Sequence, residues 1–190
     1  MKKKIILASA SPRRQQLLSE IGITYEVVTA DIDEENFPAE LKPKQVPAFL
    51  AEKKAEAVRA KVADDALIIA ADTIVVLDKK ILGKPTDRED AIRILNALSE
   101  NMHSVITGVC ILDGKEKITF SDRTDVHFRA LTAAEIEYYV DHYKPYDKAG
   151  AYAIQEWLGM VGILRIEGDY FNVMGLPVNK VYTQLKHFIE

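Results

Sequence analysis

The stretch LASASPRRQQLL, residues 7–18, decides the fold because it joins the end of one strand to the start of one helix. The preceding run KKKIILAS is short and apolar, which is typical of a buried strand. Ser11 is a favoured residue before a helix, and Pro12 suits the first helical position. A strand that passes through a short turn into a helix indicates an α/β protein.

Two arginines, Arg13 and Arg14, follow in the first turn of that helix, where the helix dipole disfavours cations. A helix start directs N–H groups toward phosphate, and arginine adds bidentate donors. The alternative is that their stems only cover core residues. We predict that a polyanion binds here and that removing either arginine leaves thermal stability equal or slightly higher.

The composition is that of an ordinary globular protein, and the chain is short enough to fold as one domain. The chain has 190 residues, of which 48% are hydrophobic, and a formal net charge of −4. We expect a single domain over residues 1–190, with one core or two small lobes that share a cleft. The acidic balance argues against a broad nucleic-acid or anionic-membrane surface.

The single cysteine and the first apolar run bear on the compartment of the protein. The lone cysteine, Cys110, lies in an apolar run, so we expect a buried strand thiol and a reducing, cytoplasmic compartment. The apolar run near the start of the chain is too short for a signal peptide or a membrane span.

Alternating apolar runs and helix-like stretches predict a mixed, twisted sheet with flanking helices, because strands follow one another directly in the middle of the chain. The predicted strands lie at residues 3–9, 24–30, 67–77, 104–113, 117–128 and 160–173. The predicted helices lie at residues 12–22, 44–62, 88–98, 132–143 and 176–189. Two irregular segments, 31–43 and 144–159, carry polar residues of the kind found in functional loops.

Several polar residues stand where chemistry is possible. Asp72 and Thr73 interrupt the apolar strand LIIAADTIVVL, so Asp72 is either paired with an arginine, caps a loop, or serves as a metal ligand or general base. The acidic run DIDEE, which contains Glu34, is either a solvated turn or, beside phosphate-binding arginines, part of a Mg²⁺ site. Lys54 and Lys84 are further candidates, although most lysines are only solvated, and Gly83 and Pro85 restrict the backbone around Lys84. The small residues around Asp147, Lys148, Tyr152 and Gln155 suggest a pocket wall.

Seven ordered motifs together resemble the Maf family of nucleoside triphosphate pyrophosphatases. They are SASPRR (9–14), KKA (53–55), ADTIV (71–75), GKP (83–85), HSVITGV (103–109), DKAGAYAIQ (147–155) and GDYFNVMGLP (168–177). The resemblance implies a two-lobed α/β fold around a central cleft and hydrolysis of a nucleotide between its α and β phosphates. It also implies a divalent metal, Mg²⁺ or Mn²⁺, and in many members a homodimer.

The resemblance assigns roles to residues of this chain. Asp72 matches the carboxylate that activates water, and Asp72 with Glu34 matches the metal-binding pair. The residues that match positions around the phosphates are Ser9, Arg13, Arg14, Lys54 and Lys84. In the branch that prefers dTTP and UTP, the positions tied to substrate choice match Arg13, Thr73 and Gln155.

The tyrosine and glutamine of AYAIQ indicate that pyrimidine branch. The first alternative is the sister activity on 7-methyl-GTP or other modified purine nucleotides, and the second is a non-catalytic regulator of septum formation. Glu156 and Trp157 stand where the family commonly has a glycine after the glutamine. We therefore expect the wall of the base pocket to differ in shape.

Overall fold

A computed structural model describes residues 3–189, in which seven strands form one mixed sheet. The strands are β1 (Ile5–Leu7), β2 (Glu26–Val27), β3 (Leu67–Leu77), β4 (Lys80–Leu82), β5 (Met102–Asp113), β6 (Glu116–Phe128) and β7 (Ile163–Glu167). Their order is β2-β1-β3-β5-β6-β7, with β4 also paired to β3. Strand β1 runs parallel to β2 and β3, whereas β4 and β7 are antiparallel to their partners. The predicted mixed α/β class is confirmed.

Seven α-helices accompany these strands in the described residues. They are α1 (Pro12–Glu20), α2 (Val46–Arg59), α3 (Arg88–Leu98), α4 (Ala133–Tyr143), α5 (Trp157–Gly162), α6 (Tyr170–Met174) and α7 (Val178–Ile189). Short 3-10 turns cover Pro43–Gln45 and Ala149–Ala151. In the part of the chain that the structure describes, no helix has the length and apolar character that a membrane crossing requires.

The chain divides into two compact units. Unit 1 consists of the described residues in Met1–Thr73, Thr107–Asp122 and Gly175–Glu190. One of its hydrophobic clusters joins β1 and β3 to α2, through side chains such as Ile6, Ile68, Ala55 and Val58. Alanines on both the strand and the helix allow α2 to lie close against the sheet, which makes this part of the fold well defined.

Unit 2 consists of Ile74–Ile106 and Arg123–Met174. Helix α3 packs against α4, and its buried residues Ala91, Ile94, Leu95 and Leu98 recur at the spacing of one helix face. Asp87 caps α3 by accepting a hydrogen bond from the Asp90 N–H. These local signals explain why the predicted helix 88–98 matches the observed one.

The predicted strand 160–173 is wrong over most of its length. Only Ile163–Glu167 is a strand, and the short helices α5 and α6 flank it. The Phe171 N–H donates to Asp169 Oδ1 at 2.9 Å at the start of α6. Helices of five or six residues are too short to produce a recognisable 3.6-residue period, so an apolar run there resembles a strand.

Two other differences concern short strands. Strand β2 covers only Glu26–Val27 of the predicted 24–30. Strand β4 was not predicted, because its hairpin turn consists of Asp78 and Lys79, both with positive φ. Such turns usually carry asparagine or glycine, and a lysine gives no comparable sequence signal.

Candidate functional site

The start of α1 brings together several candidate residues of unit 1. Ser11 precedes the helix and Pro12 opens it, as predicted, and the Ser11 side chain makes no capping hydrogen bond. The N–H groups of the first helical turn therefore have no side-chain cap from this residue. A helix start of this kind favours an anionic ligand.

Arg14 is buried, with a relative exposure of 8%. Its guanidinium donates to the Gly175 carbonyl at 2.8 Å, to Ser9 Oγ at 3.0 Å and to Thr73 Oγ1 at 3.0 Å. Burial lowers the pKa of Arg14, the Asp72 carboxylate raises it, and the Arg13 cation lowers it, with a net decrease. Arg14 thus holds α1 to β3 and to the turn before α7.

Ser9 and Thr73 are organised by these contacts. Ser9 Oγ accepts hydrogen bonds from Arg14 and, at 3.3 Å, from the Ser11 N–H. Because Ser9 accepts in both contacts, its own O–H is left to donate. Thr73 Oγ1 lies 2.9 Å from the hydroxyl of Thr107 on β5.

Asp72 is paired with a lysine in unit 1. Lys54 Nζ on α2 lies 2.6 Å from Asp72 Oδ1 and 2.7 Å from Glu34 Oε1. The Lys54 and Asp72 side chains are almost fully buried, whereas that of Glu34 is 40% exposed. One ammonium group therefore links the strand carboxylate to the acidic loop, and the arginine pairing considered for Asp72 is replaced by a lysine pairing.

The rest of the acidic loop behaves differently from Glu34. Asp33 Oδ1 accepts a hydrogen bond from the Glu35 N–H at 3.0 Å, as in an ordinary turn. Arg13 is partly exposed and lies close enough for its positive charge to lower the pKa of Arg14. The structure thus brings together seven predicted residues within unit 1, namely Ser9, Arg13, Arg14, Glu34, Lys54, Asp72 and Thr73.

The other two predicted residues, Lys84 and Gln155, belong to unit 2. Lys84 is exposed and lies between Gly83 and the buried Pro85. The Gly150 N–H donates to the Gly83 carbonyl at 3.1 Å, which connects the lysine turn to the irregular segment that carries Gln155. Gln155 Oε1 is buried, and no hydrogen-bond partner for it exists among the described residues.

The carboxylates of Asp72 and Glu34 fit a divalent cation in chemical type, because Mg²⁺ and Mn²⁺ prefer oxygen ligands and both oxygens already face one cationic group. Within residues 3–189, no three His, Cys, Asp or Glu side chains form a group that could hold a metal. Magnesium sites commonly use one or two carboxylates together with substrate phosphates, so two carboxylates are a sufficient protein contribution.

Two contributors to the Arg14 cluster escaped the sequence analysis. Thr107 is a fully buried hydroxyl in an apolar strand, the same signal that singled out Asp72. The Gly175 carbonyl gives no sequence signal, since every residue has one. Gly175 has φ +115°, a conformation that favours glycine, at the turn whose carbonyl accepts from Arg14.

Comparison with known proteins gives the family of this α/β chain. Residues 4–188 match the family described as Maf-like protein. The chain belongs to the Maf family, which confirms the resemblance inferred from its motifs.

Similar proteins share about half of its residues. A dTTP/UTP pyrophosphatase of Parabacteroides distasonis is 51% identical over 98% of this chain and 97% of that protein. Another, from Porphyromonas gingivalis, is 50% identical over 100% of this chain and 96% of that protein. A nucleoside-triphosphatase (dITP/XTP pyrophosphatase) of Mycobacterium abscessus is a more distant structural match, with 14% identity, a TM-score of 0.42, and coverage of 67% of this chain and 75% of that one.

Proposed function

We propose that this chain is a nucleoside triphosphate pyrophosphatase that hydrolyses dTTP and UTP to the monophosphate and pyrophosphate. The observation that carries the proposal is the buried Asp72–Lys54 pair with Glu34, beside an arginine-bearing helix start. Proteins that are about 50% identical over nearly their full length are named dTTP/UTP pyrophosphatases.

Asp72 is the proposed catalytic base. Its carboxylate orients a water molecule for attack on the α phosphorus and accepts a proton from it. The 2.6 Å contact with Lys54 holds the carboxylate in one orientation, which matters because misplacement by about 1 Å can cost 100-fold in rate.

The phosphates are the proposed ligands of the α1 start. Ser9 donates its free O–H, Arg13 supplies a charge-assisted contact, and Arg14 keeps Ser9 and Thr73 in place while using three of its five N–H groups. Lys54 and Lys84 stabilise further negative charge, with Lys84 assigned to the leaving pyrophosphate. Such positioned cations are the main catalytic contribution in phosphoryl transfer.

We propose Asp72 and Glu34 as the protein ligands of Mg²⁺ or Mn²⁺. When bound, such an ion supplies positive charge that polarises the phosphate and favours ionisation of water. Lys54 contacts both carboxylates in the protein described here. It therefore keeps them close together, which is the protein's own contribution to the site.

Gln155 is the proposed reader of the base. Its buried Oε1 is an unpartnered acceptor, and leaving such a group unpaired costs about 1–3 kcal/mol. The imide edge of uracil or thymine presents an N–H donor beside a carbonyl acceptor and can pair with both ends of the glutamine amide. Cytosine lacks that N–H, so we expect about ten- to 100-fold discrimination against dCTP.

A nucleotide panel with pyrophosphate release as the readout tests this function. We expect kcat/KM for dTTP and UTP to exceed that for dCTP, ATP and 7-methyl-GTP. Asp72→Asn should keep nucleotide binding and lower kcat at least about 100-fold, because it removes the proton acceptor. The matched control Asp33→Asn changes a carboxylate that serves only a turn and should keep near wild-type kcat.

Two results would contradict these assignments. Near wild-type turnover by Asp72→Asn would remove Asp72 from the chemistry. A best kcat/KM with 7-methyl-GTP would place this chain in the modified-purine branch.

We further propose that the two units act as one domain on free cytoplasmic nucleotides and that the chain forms a homodimer. The net charge of −4 supports a substrate other than nucleic acid. Met160 and Leu164 are 72% and 69% exposed, and we propose that a second copy of the chain covers them. Light scattering on the purified protein measures the assembly state directly.

A further inference from the structure

Tyr139 of α4 contacts the chain on both sides of Gln155, at the Ala153 backbone and at the Glu156 side chain. The Tyr139 side chain is fully buried in unit 2. Its hydroxyl accepts a hydrogen bond from the Ala153 N–H at 3.1 Å and donates one to the Glu156 carboxylate at Oε2. One phenol therefore holds the residue two positions before Gln155 and the residue immediately after it.

Glu156 uses its second carboxylate oxygen as well. Oε1 lies 3.6 Å from the Nζ atom of Lys148, whose side chain is only 9% exposed. The same ammonium contacts Asp147 Oδ1 at 2.8 Å. Glu156 thus connects Tyr139 of α4 with the beginning of the segment 147–156, and a glycine after Gln155 could make neither contact.

We infer that Glu156 is a positioning residue for base recognition, acting through Tyr139 and Lys148 to hold the Gln155 amide in one orientation. The inference rests on the proposed function, because it assigns the base to Gln155. The Ala153 N–H and the Glu156 side chain are both held by Tyr139, and the Glu156 N–H donates to the Ala153 carbonyl at 3.2 Å, so the segment Ala153–Glu156 has few alternative conformations. A glutamine on a loose segment would keep its hydrogen-bonding groups but lose their direction, and with it the discrimination between uracil and cytosine.

The test compares variants that keep and remove the acceptor for the Tyr139 hydroxyl. Glu156→Gln retains a side-chain oxygen that can accept from Tyr139, whereas Glu156→Leu does not. We expect Glu156→Gln to keep most of the preference for dTTP over dCTP and Glu156→Leu to lose about tenfold of it. The loss should be mainly in KM for dTTP, because contacts to the base are made equally before and during the reaction.

Tyr139→Phe removes the same hydrogen bond from its other end and should also reduce the preference for dTTP over dCTP. Because Tyr139 and Glu156 share a hydrogen bond and each also makes a contact of its own, the double variant Tyr139→Phe/Glu156→Leu should lose less selectivity than the two single losses combined. Glu135→Ala is the matched control on the same helix. It removes the capping contacts of Thr132 and the Arg129 ion pair, so it should lower stability without changing the dTTP to dCTP ratio.

Amide hydrogen exchange of the free protein gives a readout besides activity. We expect faster exchange at the Ala153 N–H and its neighbours in Tyr139→Phe and Glu156→Leu, and unchanged exchange there in Glu135→Ala. Full selectivity in Glu156→Leu, or an equal loss in Glu135→Ala, would overturn the positioning role alone. A wild-type protein that hydrolyses no pyrimidine triphosphate overturns the proposed function and this role together.

Discussion

The adjacent residues Arg13 and Arg14 have different environments, although their position in the first turn of α1 gives them the same unfavourable dipole interaction. Arg14 is buried and donates three hydrogen bonds, whereas Arg13 is partly exposed. The expectation that removing either arginine leaves stability unchanged or higher therefore needs revision for Arg14. Its three hydrogen bonds and its packing outweigh a dipole effect of at most about 2 kcal/mol.

We expect Arg14→Ala to lower the free energy of unfolding by about 3 kcal/mol. The substitution leaves a cavity and removes the N–H groups that donate to Ser9, Thr73 and Gly175. Arg13→Ala is the matched control and should change stability by no more than about 0.5 kcal/mol. Urea unfolding of both variants measures the difference. Equal free energies of unfolding in the two variants would mean that the Arg14 contacts contribute no net stability.

Lys54 lies where a cation between Asp72 and Glu34 is needed, so it competes with any metal ion for these carboxylates. We expect Lys54→Met to bind Mn²⁺ about tenfold more tightly in the absence of nucleotide, because the competing charge is gone. Electron paramagnetic resonance of free Mn²⁺ gives the affinity.

The double variant Lys54→Met/Asp72→Asn serves as the control and should lose the added Mn²⁺ affinity, since one carboxylate is then neutral. A Lys54→Met protein with weaker Mn²⁺ binding than wild type would show that Lys54 supports the carboxylate pair more than it competes for it.

At the scale of elements, β5 and α2 approach closely at Gly108. A Cβ atom added there would lie 2.2 Å from the Ala48 backbone nitrogen, well inside van der Waals contact. The obstructing atoms are backbone atoms at the start of α2, which cannot rotate away. This contact explains the glycine of the HSVITGV motif by packing alone.

Gly108→Ala should therefore destabilise the protein by at least about 3 kcal/mol, as an overpacked site whose neighbours cannot yield. Gly83→Ala is the control, since a Cβ at Gly83 would meet no atom within 4 Å. Denaturant unfolding compares the two. A Gly108→Ala protein as stable as Gly83→Ala would show that α2 shifts at little cost.

Elements with strong local signals were predicted closely. The apolar run of β3 and the capped, amphipathic α3 match residues 67–77 and 88–98. The prediction failed where α5, β7 and α6 follow one another in short succession. Their ends depend on contacts distant in sequence, such as the fully buried Asn172 Nδ2, which donates to the Val105 carbonyl at 3.1 Å.

At the scale of the whole molecule, pH affects stability through a buried histidine in unit 2. His103 is 1% exposed, lies 2.7 Å from the Tyr152 hydroxyl through Nε2, and contacts the rings of Phe128 and Tyr152 edge to face. Burial lowers the pKa of His103 to about 3. Its Nδ1 has no hydrogen-bond partner in the described residues, so a second N–H there would also be unpaired.

The unfolded chain binds a proton at His103 below pH of about 6.5, whereas the folded protein resists protonation until about pH 3. Stability contributed by neutral His103 is thus complete above pH 6.5 and decreases as pH falls, by about 1.4 kcal/mol per unit. His103→Gln should flatten this dependence between pH 6 and 4. Thermal unfolding across that range tests it, with His142→Gln, which replaces an exposed imidazole, as the comparison variant.

The sequence by itself determined the family, the α/β class, most elements with a strong period, and the identity of the candidate polar residues. These follow from local patterns and ordered motifs, which need no knowledge of distant contacts. Only the tertiary structure decided that Asp72 pairs with Lys54, 18 positions away, and that Arg14 binds the Gly175 carbonyl, 161 positions away. The physical reason is that a side chain's partner depends on which helix turn faces which strand residue, and that register is fixed by packing of the whole core.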